Sequence, residues 1–372
     1  MLQLSPSFLR RRRARWLLPL GVLFLLAAPS AGLGPLPEAQ AAKPRRAAPI
    51  KHQGKNRGKH RRPAVSRAVP VYTRAGLPNI QAQSAVVVDL ERGVPLYEKN
   101  PDAVRPIASI SKLMAMLVVM ERRIGTTGRG LDLDAKTTIT ETDARLTARG
   151  AKSRLLVGMS LSNRDLLHAA LMASDNRAVL ALGRAVGLSP PALAAEMTAK
   201  ARALGLSKTE FHDPTGLDYR NVSTPREVVK MLVAALKEPL IAQICRTAHF
   251  VAHALPPRRD AIEYTNTDHL VRTSRHHVLG GKTGYNDRAG YCLVVAARIP
   301  AGPDKKGEKR EREVAMAFLG AEGELTRFAD FGRAAQWLAE RRPLLTSADD
   351  TPREQPGAAG RTPSRPEHSR PL

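Results

Sequence analysis

Cysteine is nearly absent from this sequence: Cys245 and Cys292 are the only two in 372 residues. That excludes a disulfide-built scaffold, and because Cys292 lies inside an apolar, strand-like run, a free buried thiol is the reading favoured over a Cys245–Cys292 bridge. No repeat recurs at a fixed period, so the chain is not a solenoid or a propeller. Acidic residues are scarce beside basic ones, 34 Asp and Glu against 59 Lys and Arg, for a net charge of +25. Such a balance calls for an anionic partner, either nucleic acid or a cell-surface polymer. The apolar run Trp16 to Ala28 is shorter than the roughly 20 residues a membrane span requires.

The context of that run gives the address. Arg10 to Arg15 ("RRRRAR") is a positive n-region, Trp16 to Ala28 the apolar region, and "AQA" at Ala39 to Ala41 a small-residue cleavage site. Residues 1–41 read as a secretory signal cut after Ala41, with an uncleaved anchor as the alternative, and the expected location is the periplasm. Export removes nucleic acid from the expected partners and leaves anionic wall or membrane surfaces. Residues 42–70 are basic, rich in Pro and Gly and without apolar periodicity, a disordered arm; 346–372 read as a disordered tail.

The folded part is expected over 71–345. "SAVVVDLERGVPLYEKN" reads as a hairpin turning at Glu91 to Gly93. A helix from Ser109 to about Arg122 follows, then helices over Asn163 to Gly187 and Pro191 to Leu204. Two strands, Tyr291 to Ile299 and Val314 to Leu319, are joined by the charged loop "PAGPDKKGEKRERE". Leu325, Phe328, Phe331, Ala334 and Leu338 recur at helical spacing and close the domain. Strands at both ends with helices between predict an α/β (α+β) fold: one antiparallel sheet built from both termini, flanked by helices and carrying a helical subdomain.

The helix "ASISKLMAMLVVM" is apolar on every side except at Ser111 and Lys112, so it belongs in a core. Lysine is almost never fully buried without a reason. Ser109, three residues earlier, supplies one, since side chains three apart on a helix meet. A serine hydroxyl becomes a nucleophile when a nearby base takes its proton. Bringing a lysine from about 10.4 to near 7 or 8 takes roughly 4 kcal/mol of desolvation and like-charge repulsion. The apolar helix provides the first and Lys282 is the candidate for the second. Ser109 also gains from the helix dipole, which favours negative charge at an N-terminus.

Two weaker signals follow. "ASDN" presents the Ser174 hydroxyl and the Asn176 amide after an amphipathic helix, although Ser, Asp and Asn are also ordinary cap residues. "KTG" places Lys282, Thr283 and Gly284 on a sheet edge, where Lys282 with Thr283 suits a carboxylate and Gly284 a closely approaching substrate backbone.

The ordered set SxxK, SDN, KTG is the signature of class A β-lactamases and penicillin-binding proteins. With "LMASDNRA", "TEFHDPTGLDYRNVSTPREVVKML", "NTDHLV" and "GGKTGYNDRAGYCLV", the chain from about Gln81 to Leu338 resembles the low-molecular-mass penicillin-binding proteins of the D-alanyl-D-alanine endopeptidase branch. The resemblance implies a serine β-lactamase/transpeptidase-like fold with the active site between sheet and helical subdomain. It implies a serine DD-peptidase acting on peptidoglycan stem peptides, acylated by β-lactams, with neither metal nor organic cofactor. By the same match Ser109 is the nucleophile, Lys112 its general base, and Ser174 a relay to the leaving amine. Asn176 lines the cleft, Lys282 and Thr283 hold the substrate carboxylate, and the backbone N–H groups of Ser109 and Tyr285 form the oxyanion hole.

Four other readings compete. A class A β-lactamase needs a deacylating carboxylate, yet "FHDPTGLDYRN" has no Glu-x-x-Leu-Asn pattern. A carboxypeptidase uses the same site, but the longer motifs favour the endopeptidase, and neither a second β-domain nor a C-terminal amphipathic anchor is expected after the last helix. A non-catalytic wall-binding protein explains the basic arm but not a buried lysine. A zinc peptidase is suggested by His249 and His253 at i, i+4, without the Glu of an HExxH site or an obvious third ligand.

Overall fold

A computed structural model describes residues 69–122, 130–273, 276–303 and 309–340. The expected signal segment, all but the last two residues of the arm, and the tail lie outside them. In chain order, β1 (Ser84–Asp89) and β2 (Pro95–Lys99) form the expected hairpin. The short β3 (Arg105–Pro106) and a 3-10 turn (Ala108–Ile110) lead into α1 (Ser111–Glu121). A helical lobe follows: β4 (Lys136–Thr138), α2 (Glu141–Leu146), β5 (Ser160–Ser162), α3 (Asn163–Leu171), α4 (Asn176–Ala185), α5 (Pro190–Ala203), β6 (Val222–Ser223), α6 (Pro225–Leu236) and α7 (Pro239–Cys245). The hairpin β7 (His249–His253) and β8 (Ala261–Thr265), then α8 (His269–Thr273), precede β9 (His277–Asn286), β10 (Gly290–Pro303), β11 (Lys309–Ala321) and α9 (Thr326–Glu340).

The main sheet is antiparallel with strand order β2-β1-β11-β10-β9, so both ends of the domain contribute strands, as the sequence predicts. Its two faces read directly from the register. Val86, Ala317, Val294 and Lys282 stand in one row, and the first three belong to the core shared with the helical lobe. The adjacent row, Val87, Met316, Val295 and Gly281, carries the core under α9. A sheet covered on both faces has near-continuous apolar strands rather than alternating ones. That is why "SAVVVD" and "CLVVAA" read as buried runs. Lys282 is therefore the polar end of an otherwise apolar row, on the edge strand.

Asp330 of α9, fully buried, accepts from the backbone N–H groups of Gln81 and Ala82 at 2.8 Å each and fastens the start of β1 to the last helix.

Three elements differ from expectation. The strands β10 and β11 run well past Ile299 and begin well before Val314, so much of the charged connection is strand. The predicted helix from Asn163 to Gly187 is broken into α3 and α4, with Ser174 at φ +60 between them. The β7–β8 ribbon was not anticipated, and it overturns the zinc alternative: on a strand, residues four apart stand about 13 Å from each other and cannot share an ion.

Candidate active site

Ser109 lies not in the first turn of α1, as expected, but in the 3-10 turn that precedes it. Ala108 adopts φ +47, a left-handed conformation that costs a non-glycine residue on the order of 1 kcal/mol or more. Its surroundings enforce that shape. A methyl group on Gly216 would fall 2.1 Å from the Ala108 carbonyl oxygen, and one on Gly284 would fall 2.7 Å from that of Ile107. The turn carrying Ser109 is thus gripped between the loop at 213–218 and β9. Gly284 is a glycine because the chain's own turn approaches it, a correction to the expectation of space for a substrate backbone. The same position lies 3.2 Å from the Ser109 backbone nitrogen, so this N–H sits beside the Gly284–Tyr285 stretch of β9.

Lys112 is fully buried, and its Nζ stands 2.8 Å from Ser109 Oγ. It donates to the Thr215 carbonyl at 2.5 Å. Burial first, and the charge of Lys282 second, push its pKa down to about 7. Both causes are those the sequence suggests. In its neutral form, with one N–H committed to Thr215, the amine can turn its lone pair to the serine hydroxyl.

Lys282 is also buried; its Nζ donates to Ser174 Oγ at 3.1 Å and to the Thr283 carbonyl at 2.9 Å. Burial and then the nearby Arg327 guanidinium lower its pKa to about 8. Lys112 is thus paired with Ser109 and Lys282 with Ser174, and the charge of Lys282 reaches Lys112.

Asp175 explains why the SDN stretch breaks a helix: its carboxylate accepts from the N–H groups of Arg177 and Ala178 and from the Ser153 hydroxyl, capping α4. Asn176 starts that helix buried, and its Oδ1 has no hydrogen-bond partner among the described residues. A methyl on Gly150 would fall 2.3 Å from its Nδ2, which sets that side of the cleft. Thr283 is buried, with Oγ1 2.7 Å from Thr267 Oγ1. Tyr285 is half exposed at the rim, stacked on Tyr291. Of the expected site residues, Ser109 is brought to Lys112 and Ser174 to Lys282, with Thr283 and Gly284 beside them on β9; Asn176 and Tyr285 stand next to these in sequence.

Several residues that matter there were not singled out from the sequence. Asp213 is the hub of the 213–218 loop, accepting from the N–H groups of Thr215, Gly216, Leu217 and Asp218. Buried Asn221 joins this hub to the nucleophile's helix: its Nδ2 donates to Asp213 and to Ser111 Oγ at 3.0 Å. Arg327, nearly buried on α9, donates to the carbonyls of Gly284 and Cys292. Asp268, fully buried, keeps Oδ2 without a hydrogen-bond partner, and a methyl on Gly281 would fall 2.8 Å from it. Asp, Asn and Arg in loops or at helix starts look like ordinary caps, so only their long-range partners distinguish them. Cys245 and Cys292 are both free and buried, their thiol pKa values pushed up by burial to about 12 and about 11.

The D-alanyl-D-alanine carboxypeptidase family matches this sequence over residues 71–302. A D-alanyl-D-alanine endopeptidase of Escherichia coli strain K12 is 37% identical over 266 residues, 72% of this chain and 80% of its own length. One from Pseudomonas aeruginosa is 37% identical over 278 residues, 74% and 83% of the two chains. Among solved structures, the Streptomyces K15 DD-transpeptidase superposes with a TM-score of 0.61 at 26% identity, covering 70% of this chain and 98% of its own. Penicillin-binding protein D2 of Listeria monocytogenes, in its ampicillin-bound form, gives 0.55 at 28% identity over the same shares.

Proposed function

We propose that this chain, which belongs to the D-alanyl-D-alanine carboxypeptidase family, is a serine DD-endopeptidase that opens D-alanyl cross-links between peptidoglycan stem peptides. The observation that carries it is the fully buried Lys112, 2.8 Å from Ser109 Oγ and held near neutrality by its surroundings. In this reading Ser109 Oγ attacks the D-alanyl carbonyl and its proton passes to Lys112 Nζ. The N–H groups of Ser109 and Tyr285 receive the oxyanion, each donor contributing roughly 3 to 4 kcal/mol. Collapse breaks the C–N bond, and the departing amine takes a proton through the Ser174 hydroxyl. Water then hydrolyses the acyl-enzyme. Lys282 and Thr283 hold the carboxylate beside the scissile bond, and Asn176, with its unpartnered Oδ1, receives a backbone N–H of the bound peptide.

Support for slow rather than rapid deacylation from penicillins comes from the 213–218 loop. Asp213 spends its oxygens on the loop's own N–H groups, and what the loop offers Lys112 is the Thr215 carbonyl, not a water-activating carboxylate. Incubation with penicillin should leave a persistent adduct on Ser109 by mass spectrometry. Rapid turnover without an adduct would favour a β-lactamase. Incubation with cross-linked muropeptide dimers and with pentapeptide monomers separates endopeptidase from carboxypeptidase; faster cleavage of the dimer is expected. The carboxypeptidase reading is kept because the same lysine and threonine serve either substrate. Export to the periplasm, and contact of the basic arm with anionic wall or membrane surfaces, complete the proposal. Salt-sensitive retention on isolated walls, lost on removal of 42–70, is the expected result.

A further inference from the structure

Between the helical lobe and the edge strand runs a three-residue strap, Asn266-Thr267-Asp268, which the mechanism above leaves without a task. Its backbone is tied at every residue. The N–H of Asn266 donates to the Ala248 carbonyl, that of Thr267 to the Met172 carbonyl at 2.9 Å, and that of Asp268 to Asn266 Oδ1 at 2.9 Å. Asn266 Nδ2 adds a bond to the Thr247 carbonyl at 2.9 Å. Met172 lies two residues before Ser174, so the strap anchors the turn that presents that hydroxyl. On its other side Thr267 Oγ1 meets Thr283 Oγ1 at 2.7 Å.

The hydroxyl pair has one internal bond and two possible directions. If Thr283 donates to Thr267, its single proton is spent and only lone pairs remain to face a bound carboxylate, which is repulsive. If Thr267 donates, the Thr283 proton is free for that carboxylate, giving a charge-assisted bond. We infer that Thr267 is a positioning residue: its hydroxyl donates to Thr283 Oγ1 and so fixes Thr283 as a donor to the substrate's carboxylate. The inference deepens, and rests on, the assignment of Lys282 and Thr283 to that carboxylate. No proton is transferred; the bound anion selects one of two hydrogen-bond directions that the strap makes available.

The test compares Thr267→Val, which keeps shape and removes the hydroxyl, with Thr267→Ser, which keeps it. The probes are an N-acylated D-alanyl-D-alanine with a free carboxylate and its C-terminal carboxamide. A carboxamide both donates and accepts, so either direction satisfies it. Wild type should prefer the acid. Thr267→Val removes the neutral hydrogen bond that orients the Thr283 hydroxyl and should lose about fivefold to tenfold in kcat/KM on the acid, the worth of one such bond, and under twofold on the amide. Thr267→Ser should match wild type on both. Equal losses on acid and amide, or no loss on either, overturn the inference. A wild-type enzyme indifferent to the carboxylate would instead sink the assignment of Lys282 and Thr283, and the inference with it. Thr267→Ala carries the same comparison should the valine variant fail to fold.

Discussion

Lys282 Nζ donates to Ser174 Oγ across 3.1 Å, tying the edge strand of the sheet to the break between two helices of the lobe. Two residues 108 positions apart thus share a hydrogen bond, and Lys282 touches Ser174 while its charge acts on Lys112.

The pH profile follows from the two lysines. Lys112 must be neutral to accept the serine proton, and its pKa is held at about 7, so kcat/KM should rise as pH climbs through about 7. Lys282 must be charged to hold a carboxylate, and its pKa of about 8 predicts a fall above that value. Lys282→Met removes the charge that repels a proton from Lys112. The Lys112 pKa then rises and the acid limb of the acylation rate moves to higher pH. A limb that stays in place or moves down would contradict the coupling.

Lys112→Met should abolish acylation and yet stabilise the fold, by about 1 to 3 kcal/mol at neutral pH, because a buried amine whose ionisation the folded state suppresses is exchanged for an apolar chain of similar length. The sign also sets the wild type's pH dependence. With the folded-state pKa far below the unfolded one, the unfolded chain binds more protons between about pH 7 and 10, so stability contributed by this group grows as pH rises through that window. Thermal melting of both proteins across this range checks it; equal slopes would argue against a depressed Lys112.

Gly284→Ala places a methyl 2.7 Å from the Ile107 carbonyl. The turn must shift, at a cost of about 1 to 3 kcal/mol, and Ser109 shifts with it. Acylation by penicillin should fall by more than tenfold in a protein that still melts cooperatively.

Asn221→Ala leaves Ser111 Oγ and the Asp213 hub short of a donor, and should cost about 1 to 3 kcal/mol in thermal or denaturant unfolding. A 213–218 loop loosened in this way should also carry the Thr215 carbonyl away from Lys112 and blunt acylation. Unchanged stability would show that Asp213 holds the loop alone.

The three motifs were legible in the sequence because each breaks a local rule: a lysine in an apolar helix, a Ser-Asp-Asn run inside a helical stretch, a Lys-Thr-Gly on an apolar strand. The strap at 266–268 and Arg327 break none, and the glycines of "GGKTG" look alike. Only packing separates them. A methyl on Gly280 would meet Leu236, on Gly281 the Asp268 carboxylate, and on Gly284 the Ile107 carbonyl.

By itself the sequence determined which residues carry reactive groups and which strands are buried on both faces, because side-chain type and hydrophobic pattern are local properties. Tertiary structure alone decided that Ser109 sits in a strained turn rather than a helix, that Lys112 is held by the Thr215 carbonyl, and that Lys282 reaches Ser174. Those are distances between segments far apart in the chain, and they arise only when the sheet and the helical lobe close over a shared core.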